Sequence, residues 1–113
     1  MVQIDLEIKN DVLIFRICGD IDINTSPEIK KSFDKVIKEN NKRILVNLGK
    51  VDYLDSSGLA TFVEILKHLR TCEGQLKLTN LSRKIKGLFE ITKLDKLFDI
   101  SNEESTALES FNK

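Results

Sequence analysis

The sequence contains no tryptophan, and proline, tyrosine and histidine occur once each, as Pro27, Tyr53 and His68. Cysteine occurs twice, at Cys18 and Cys72, without metal-ligand spacing. One histidine and two such cysteines do not make a zinc centre. Cys18 lies in an apolar strand pattern and Cys72 near a helix end, so reduced, structural thiols are expected. A surplus of charge is also missing, because Lys+Arg and Asp+Glu stand at 18 each. Nucleic-acid binders draw their affinity from clustered Lys and Arg that neutralise phosphates, so no direct nucleic-acid partner is expected. The basic pairs Lys30-Lys31, Lys42-Arg43 and Arg83-Lys84 have acidic neighbours and read as solvated helix and strand ends. No apolar run nears the roughly 18 to 20 residues of a spanning helix. Met1 to Asp5 lacks the basic and apolar regions of a signal peptide. A cytoplasmic protein with no membrane partner is the expectation.

What is present suits one globular unit. The 113 residues are 41% hydrophobic, enough for a single core without staples. There is no Gly/Ser-rich linker, low-complexity tract or fixed-period repeat, so residues 1–113 read as one domain. Gln3–Ile8 alternates polar and apolar, as a half-buried strand does. Asn10-Asp11 signals a turn, and Val12–Cys18 is a β-branched and aromatic run, so an N-terminal β-hairpin is predicted. Gly19–Thr25 reads as a loop. Ser26 offers an N-cap with Pro27 at the first helical position, and Ile29, Phe33, Val36 and Ile37 recur at helical spacing.

Ile44–Leu48 is a short strand of the kind buried on both faces. A loop from Gly49 to Asp55 leads to a very apolar helix that starts near Ser57 and runs to about Thr71. Gln75–Thr79 forms another strand. Ser82 caps a third helix carrying Ile85, Leu88, Phe89 and Ile91. Leu94, Leu97, Phe98 and Ile100 lead through a turn into a short last strand, and Ser101-x-x-Glu104 has the spacing of a capping box for a fourth helix with Leu108 and Phe111 on one side. The order β-β-α-β-α-β-α-β-α predicts an α/β fold, a mixed and mostly parallel sheet with about four helices.

The chemistry concentrates in Asp52-Tyr53-Leu54-Asp55-Ser56-Ser57-Gly58-Leu59, between a buried strand and the apolar helix. In parallel α/β sheets such loops emerge at the carboxyl ends of the strands, the edge where ligands and partners bind. On structural grounds alone Ser56 or Ser57 is an N-cap, and Asp55 supports the helix dipole. A cap position is also an exposed position with unsatisfied amides. A phosphate attached there gains hydrogen bonds and dipole energy without unfolding the chain. Asp55, with Asp22, would repel it, so the surface changes while the fold persists.

These residues resemble a known family. Asp55-Ser56-Ser57-Gly58-Leu59 after the strand Ile44–Leu48 looks like the signature of STAS domains, and more closely of bacterial anti-sigma factor antagonists. Gly19-Asp20-Ile21-Asp22 followed by Ser26-Pro27, and Leu94-Asp95-Lys96-Leu97-Phe98, match two further markers in the expected order. The resemblance implies a single STAS-like domain without enzymatic activity or cofactor. In its unphosphorylated form it would bind an anti-sigma factor that is itself a serine kinase and so release the sigma factor. That kinase would use ATP to phosphorylate Ser56 and abolish binding, and a metal-dependent serine phosphatase would reverse the step. By the same resemblance Asp22, with Asn24 and Thr25 of its loop, and Asp55, Ser57 and Gly58 belong to the partner contact. Ser57 would be the capping residue, and Gly58 would keep backbone and partner close.

Other readings compete. A serine nucleophile needs a base within hydrogen-bond reach, and His68 lies about three turns along the same helix, roughly 17 Å by helix rise. It reads as a surface residue, and no G-x-S-x-G elbow is present. Asp20 and Asp22 on one loop read as solvated carboxylates rather than a metal site. For nucleotides, Gly49-Lys50 lacks phosphate-loop spacing. Within the same fold, the domain could instead serve a stressosome-like or transporter-associated complex, with nucleotide binding as a further option. A monomer is the simple default.

Overall fold

The computed structural model describes residues 2–111. Five strands form one sheet in sequential order: β1 (Val2–Lys9), β2 (Val12–Ile21), β3 (Arg43–Leu54), β4 (Gln75–Thr79) and β5 (Asp99–Ser101). β1 and β2 are antiparallel, and every later pair is parallel. The hairpin turn is Asn10-Asp11, with φ of 52° and 64°. Two consecutive left-handed residues are what a two-residue hairpin loop requires, and Asn and Asp tolerate them.

The helices are α1 (Ser26–Lys38), α2 (Ser56–Thr71), α3 (Arg83–Ile91) and α4 (Glu104–Ser110). A 3-10 turn at Leu94–Lys96 precedes β5. Because the parallel strands follow one another without reversal, crossovers of one hand place α1, α2 and α3 on the same face. The main core lies there. Phe15 of β2 stacks on Phe33 of α1 with centroids 4.0 Å apart, and Phe33 meets Phe62 of α2 edge-on at 6.3 Å. All three rings are fully buried, which pins both helices to the sheet centre. α4 alone covers the other face, burying Ala107, Leu108 and Phe111 against Val12, Ile14 and Leu45.

Several local expectations are corrected. β2 runs on to Ile21 and β3 to Leu54, where loops were expected from Gly19 and from Gly49. The reason is pairing: Cys18, Gly19, Asp20 and Ile21 lie beside Lys50, Val51, Tyr53 and Leu54. Register shifts between Arg16 and Cys18 and between Gly19 and Asp20 disturb the alternation that marks a strand in sequence, and Gly19 takes φ 117° there. Ser26 is the first residue of α1, not its cap, and the cap position belongs to Thr25. The capping box at Ser101 and Glu104 is not formed. Glu104 instead accepts from Arg16 Nε and Nη2, both at 2.9 Å, and from Asn47 Nδ2. Ile91 stands 82% exposed, off the apolar face of α3. Cys18 is exposed rather than packed, and both cysteines are free thiols.

Candidate functional site

The ends of β2 and β3 deliver two loops to one place. Asp55 N–H donates to Ile21 O at 3.2 Å, so the last residue before α2 is tied to the last residue of β2. Gly58, the third residue of α2, sits on the same junction. A Cβ added there would collide with Leu54 Cδ1 and stand 2.7 Å from Ile21 Cγ2, so a larger residue would force these side chains or the helix to shift. The close approach at Gly58 is therefore to its own strands, and the residue is buried.

Asp55 caps α2, correcting the assignment of the cap to Ser57 or Ser56. Its Oδ1 accepts from Ser57 N–H at 3.0 Å, Gly58 N–H at 3.2 Å and the Ser57 hydroxyl at 2.6 Å. An aspartate in extended conformation reaches the N2 and N3 amides as well as serine does. The Ser57 hydroxyl, opposed by some desolvation and helped by these amides, holds the Asp55 carboxyl below the usual range.

Ser57 and Ser56 therefore differ sharply. The Ser57 hydroxyl is spent on Asp55 and lies 3.4 Å from Ser26 Oγ, which joins the two loops. Ser56 is exposed, and among the described residues its hydroxyl makes no hydrogen bond. It is a free hydroxyl on the first residue of a sixteen-residue helix, beside a cap that does not need it.

The facing loop is held by its own hydrogen bonds. Asp22 Oδ1 accepts from the amides of Asn24 at 2.9 Å and Thr25 at 3.1 Å. The Thr25 hydroxyl donates to Asp20 O at 2.8 Å, and Ser26 Oγ donates to Asp22 O at 2.7 Å. Asp22, Asn24 and Thr25 thus lie on the loop that the Asp55–Ile21 and Ser57–Ser26 contacts bring beside Asp55 and Ser57. Asp20 and Asp52 add two exposed carboxylates on these strand ends. Among the described residues none of Asp20, Asp22, Asp52 or Asp55 is in an ion pair, so the rim of the site is acidic and open. Two neighbours are given no role in the sequence reading, although it places both in loops: Ile23 is 73% exposed and Tyr53 45% exposed. Apolar side chains default to the core in sequence; the pairing of Asp20 with Tyr53 puts Tyr53 on this rim, and Ile23 follows Asp22 in the loop beyond β2.

His68 does not serve Ser56. Its Nδ1 lies 3.2 Å from Asp34 Oδ1, between α1 and α2 further down the helix. Sequential strand order also opens no crevice of the kind that strand reversal creates for small ligands. The site is an exposed acidic rim with apolar points, a form that suits docking to another macromolecule.

Comparison with known proteins agrees with this geometry. The STAS domain model matches residues 3–107. The anti-sigma-B factor antagonist of Listeria monocytogenes is 34% identical over 106 residues, covering 91% of this chain and 93% of that one. A crystal structure of a Thermotoga maritima protein superposes with a TM-score of 0.93 at 26% identity, covering 97% and 95% of the two chains. The Bacillus cell fate determinant SpoIIAA in its phosphorylated form shares the fold at a TM-score of 0.74 and 20% identity, covering 96% and 99%.

Proposed function

This chain belongs to the STAS domain family, among its anti-sigma factor antagonists, and we propose that Ser56 is the hydroxyl through which its binding is switched. In this reading the unphosphorylated chain docks on an anti-sigma factor through the rim formed by Asp22, Asn24, Thr25, Asp55 and Ser57. The anti-sigma factor then lets go of its sigma factor. Acting as a serine kinase, it transfers the γ-phosphoryl of ATP to Ser56 Oγ. The hydroxyl proton is lost, ADP leaves, and the complex dissociates. A serine phosphatase hydrolyses the ester and restores the binding form.

The observation that carries this reading is the exposed Ser56 hydroxyl, free of hydrogen bonds beside a cap supplied by Asp55. Phosphorylation adds about −1.5 to −2 charges. They fall beside the Asp55 carboxylate, on a rim that Asp20, Asp22 and Asp52 already make acidic. A partner surface fitted to the neutral serine then meets an anion it has no group to receive. A coupling of about 1 to 3 kcal/mol gives a roughly 5- to 150-fold loss of affinity.

The test is intact mass after incubation with the cognate kinase and ATP. One phosphate is expected on the native chain and on Ser57→Ala, and none on Ser56→Ala. Ser56→Asp is expected to bind the kinase at least about 10-fold more weakly, within the coupling above. Phosphate appearing on Ser56→Ala would sink the assignment.

A further inference from the structure

The two edges of the sheet are unlike. β5 closes one side with three residues, too short to template another chain. β1 closes the other with eight, without proline, and the register shifts of the sheet lie between β2 and β3 instead. Among the described residues nothing pairs with its outer side. Folds usually blunt such an edge with lysines, proline or a bulge. Here exposed Asp5, Glu7 and Lys9 alternate with Leu6 and Ile8, which stand on the same edge 53% and 70% exposed. Beside them an open groove of about 430 Å³ runs to the end of α1, lined by Leu6, Ile8, Leu13 and Val36.

The strand is self-complementary when laid antiparallel on a second copy of itself with the two Glu7 residues opposite. Asp5 then faces Lys9 of the second copy, and Lys9 faces its Asp5. Leu6 and Ile8 meet Ile8 and Leu6. The two Glu7 side chains meet at the axis, but each is already held by its own Arg16, with Nη1 2.6 Å from Oε1. The backbone agrees. The hairpin closes on the pair Lys9 and Val12, and alternation along the ladder turns the N–H and C=O groups of Ile4, Leu6 and Ile8 outward. The facing Leu6 and Ile8 residues would exchange both bonds. Sliding the register by one step brings Asp5 against Glu7 twice, and sliding the other way shortens the overlap to residues 7–9.

We propose that β1 is the pairing edge of a homodimer in which residues 5–9 of two copies join antiparallel into one continuous sheet. The paired segment is short against the roughly 1,200–2,000 Å² of stable interfaces, so the dimer is weak, with a dissociation constant on the order of 10 to 100 μM. This replaces the simple monomer expected from sequence. The Ser56 rim stays open in both copies, because Gly19 at that end of β2 pairs with Val2 while the dimer uses the far half of β1.

Sedimentation equilibrium of the full chain, over a concentration range spanning that constant, tests it. The mass is expected to rise from monomer to dimer. Ile8→Lys should leave a monomer throughout. Asp5→Lys should weaken association about 10-fold, since two attractive pairs become repulsive, and adding Lys9→Asp to it should restore the native constant. Circular dichroism confirms that each variant is folded, which is expected because the altered side chains are exposed. A native chain that stays monomeric, a dimer indifferent to Asp5→Lys, or a double variant that does not recover each overturns the proposal. None of these outcomes bears on Ser56.

Discussion

The starts of α2 and α3 make an instructive pair, because both helices leave the same edge of the sheet from a side-chain cap. At α3 the cap is Ser82, whose Oγ accepts from Ile85 N–H at 3.3 Å. At α2 it is Asp55, which takes two amides and a hydroxyl on one oxygen. The serine at α3 is consumed by folding, whereas the serine that follows Asp55 has no structural duty. The glycines differ in the same sense. The missing Cβ of Gly58 would collide with Leu54 and Ile21, while that of Gly87, in the middle of α3, would meet nothing within 4 Å. A hydroxyl at a helix start is thus not a site in itself. It becomes one where another residue caps and where packing underneath fixes its position.

The glycine contrast gives the largest effects. Gly58→Val should cost about 3 kcal/mol by overpacking the junction, while Gly87→Ala should gain about 0.5–1 kcal/mol from helix propensity. Thermal melts would place the two variants on opposite sides of the native midpoint, at roughly 4–8 °C per kcal/mol. A Gly58→Val protein as stable as the native chain would break the comparison. Next, Asp55→Ala should cost about 1–2 kcal/mol through loss of the cap. Because the folded carboxyl titrates below its unfolded value of about 3.9, its contribution is full above that pH and is lost as pH falls through the folded value. Urea melts from pH 7 to pH 3 should show a shallower acid decline in the variant. The smallest difference is the most pointed. Ser82→Ala should cost about 1 kcal/mol, and Ser56→Ala less than about 0.5 kcal/mol. Equal losses would mean that Ser56 has a folding role after all.

The sequence was a good guide to the elements and a poorer one to their ends. Alternation in Gln3–Ile8 and helical spacing in Ile29, Phe33 and Val36 report local geometry, so they can be read locally. The extension of β3 to Leu54 cannot, because Asp52 and Tyr53 are exposed and this end is held in the sheet by the pairing of Asp20 with Tyr53 and of Ile21 with Leu54. The candidate site was legible as a motif but not in its division of labour. Asp55, Ser56 and Ser57 are all good capping types, and only the extended conformation of Asp55 decides among them. Glu104 shows the same limit. Its spacing from Ser101 suggested a capping box, yet its partner Arg16 lies 88 residues away. The loop composition around Ile23 and Tyr53 hinted at exposure, but nothing local marked either as part of the rim.

The seat of Gly58 on Ile21 and Leu54 has a consequence for how any mark at Ser56 could be read. A helix clamped that tightly two residues beyond Ser56 has little room to tilt, so the two chemical forms of the protein would share one shape. Discrimination would then rest on electrostatics at a solvated position, where mobile ions compete. At physiological ionic strength the field of a surface charge fades over about 8 Å. The preference of a partner for one form over the other should therefore shrink as salt is raised, while the melting temperatures of both forms stay close together.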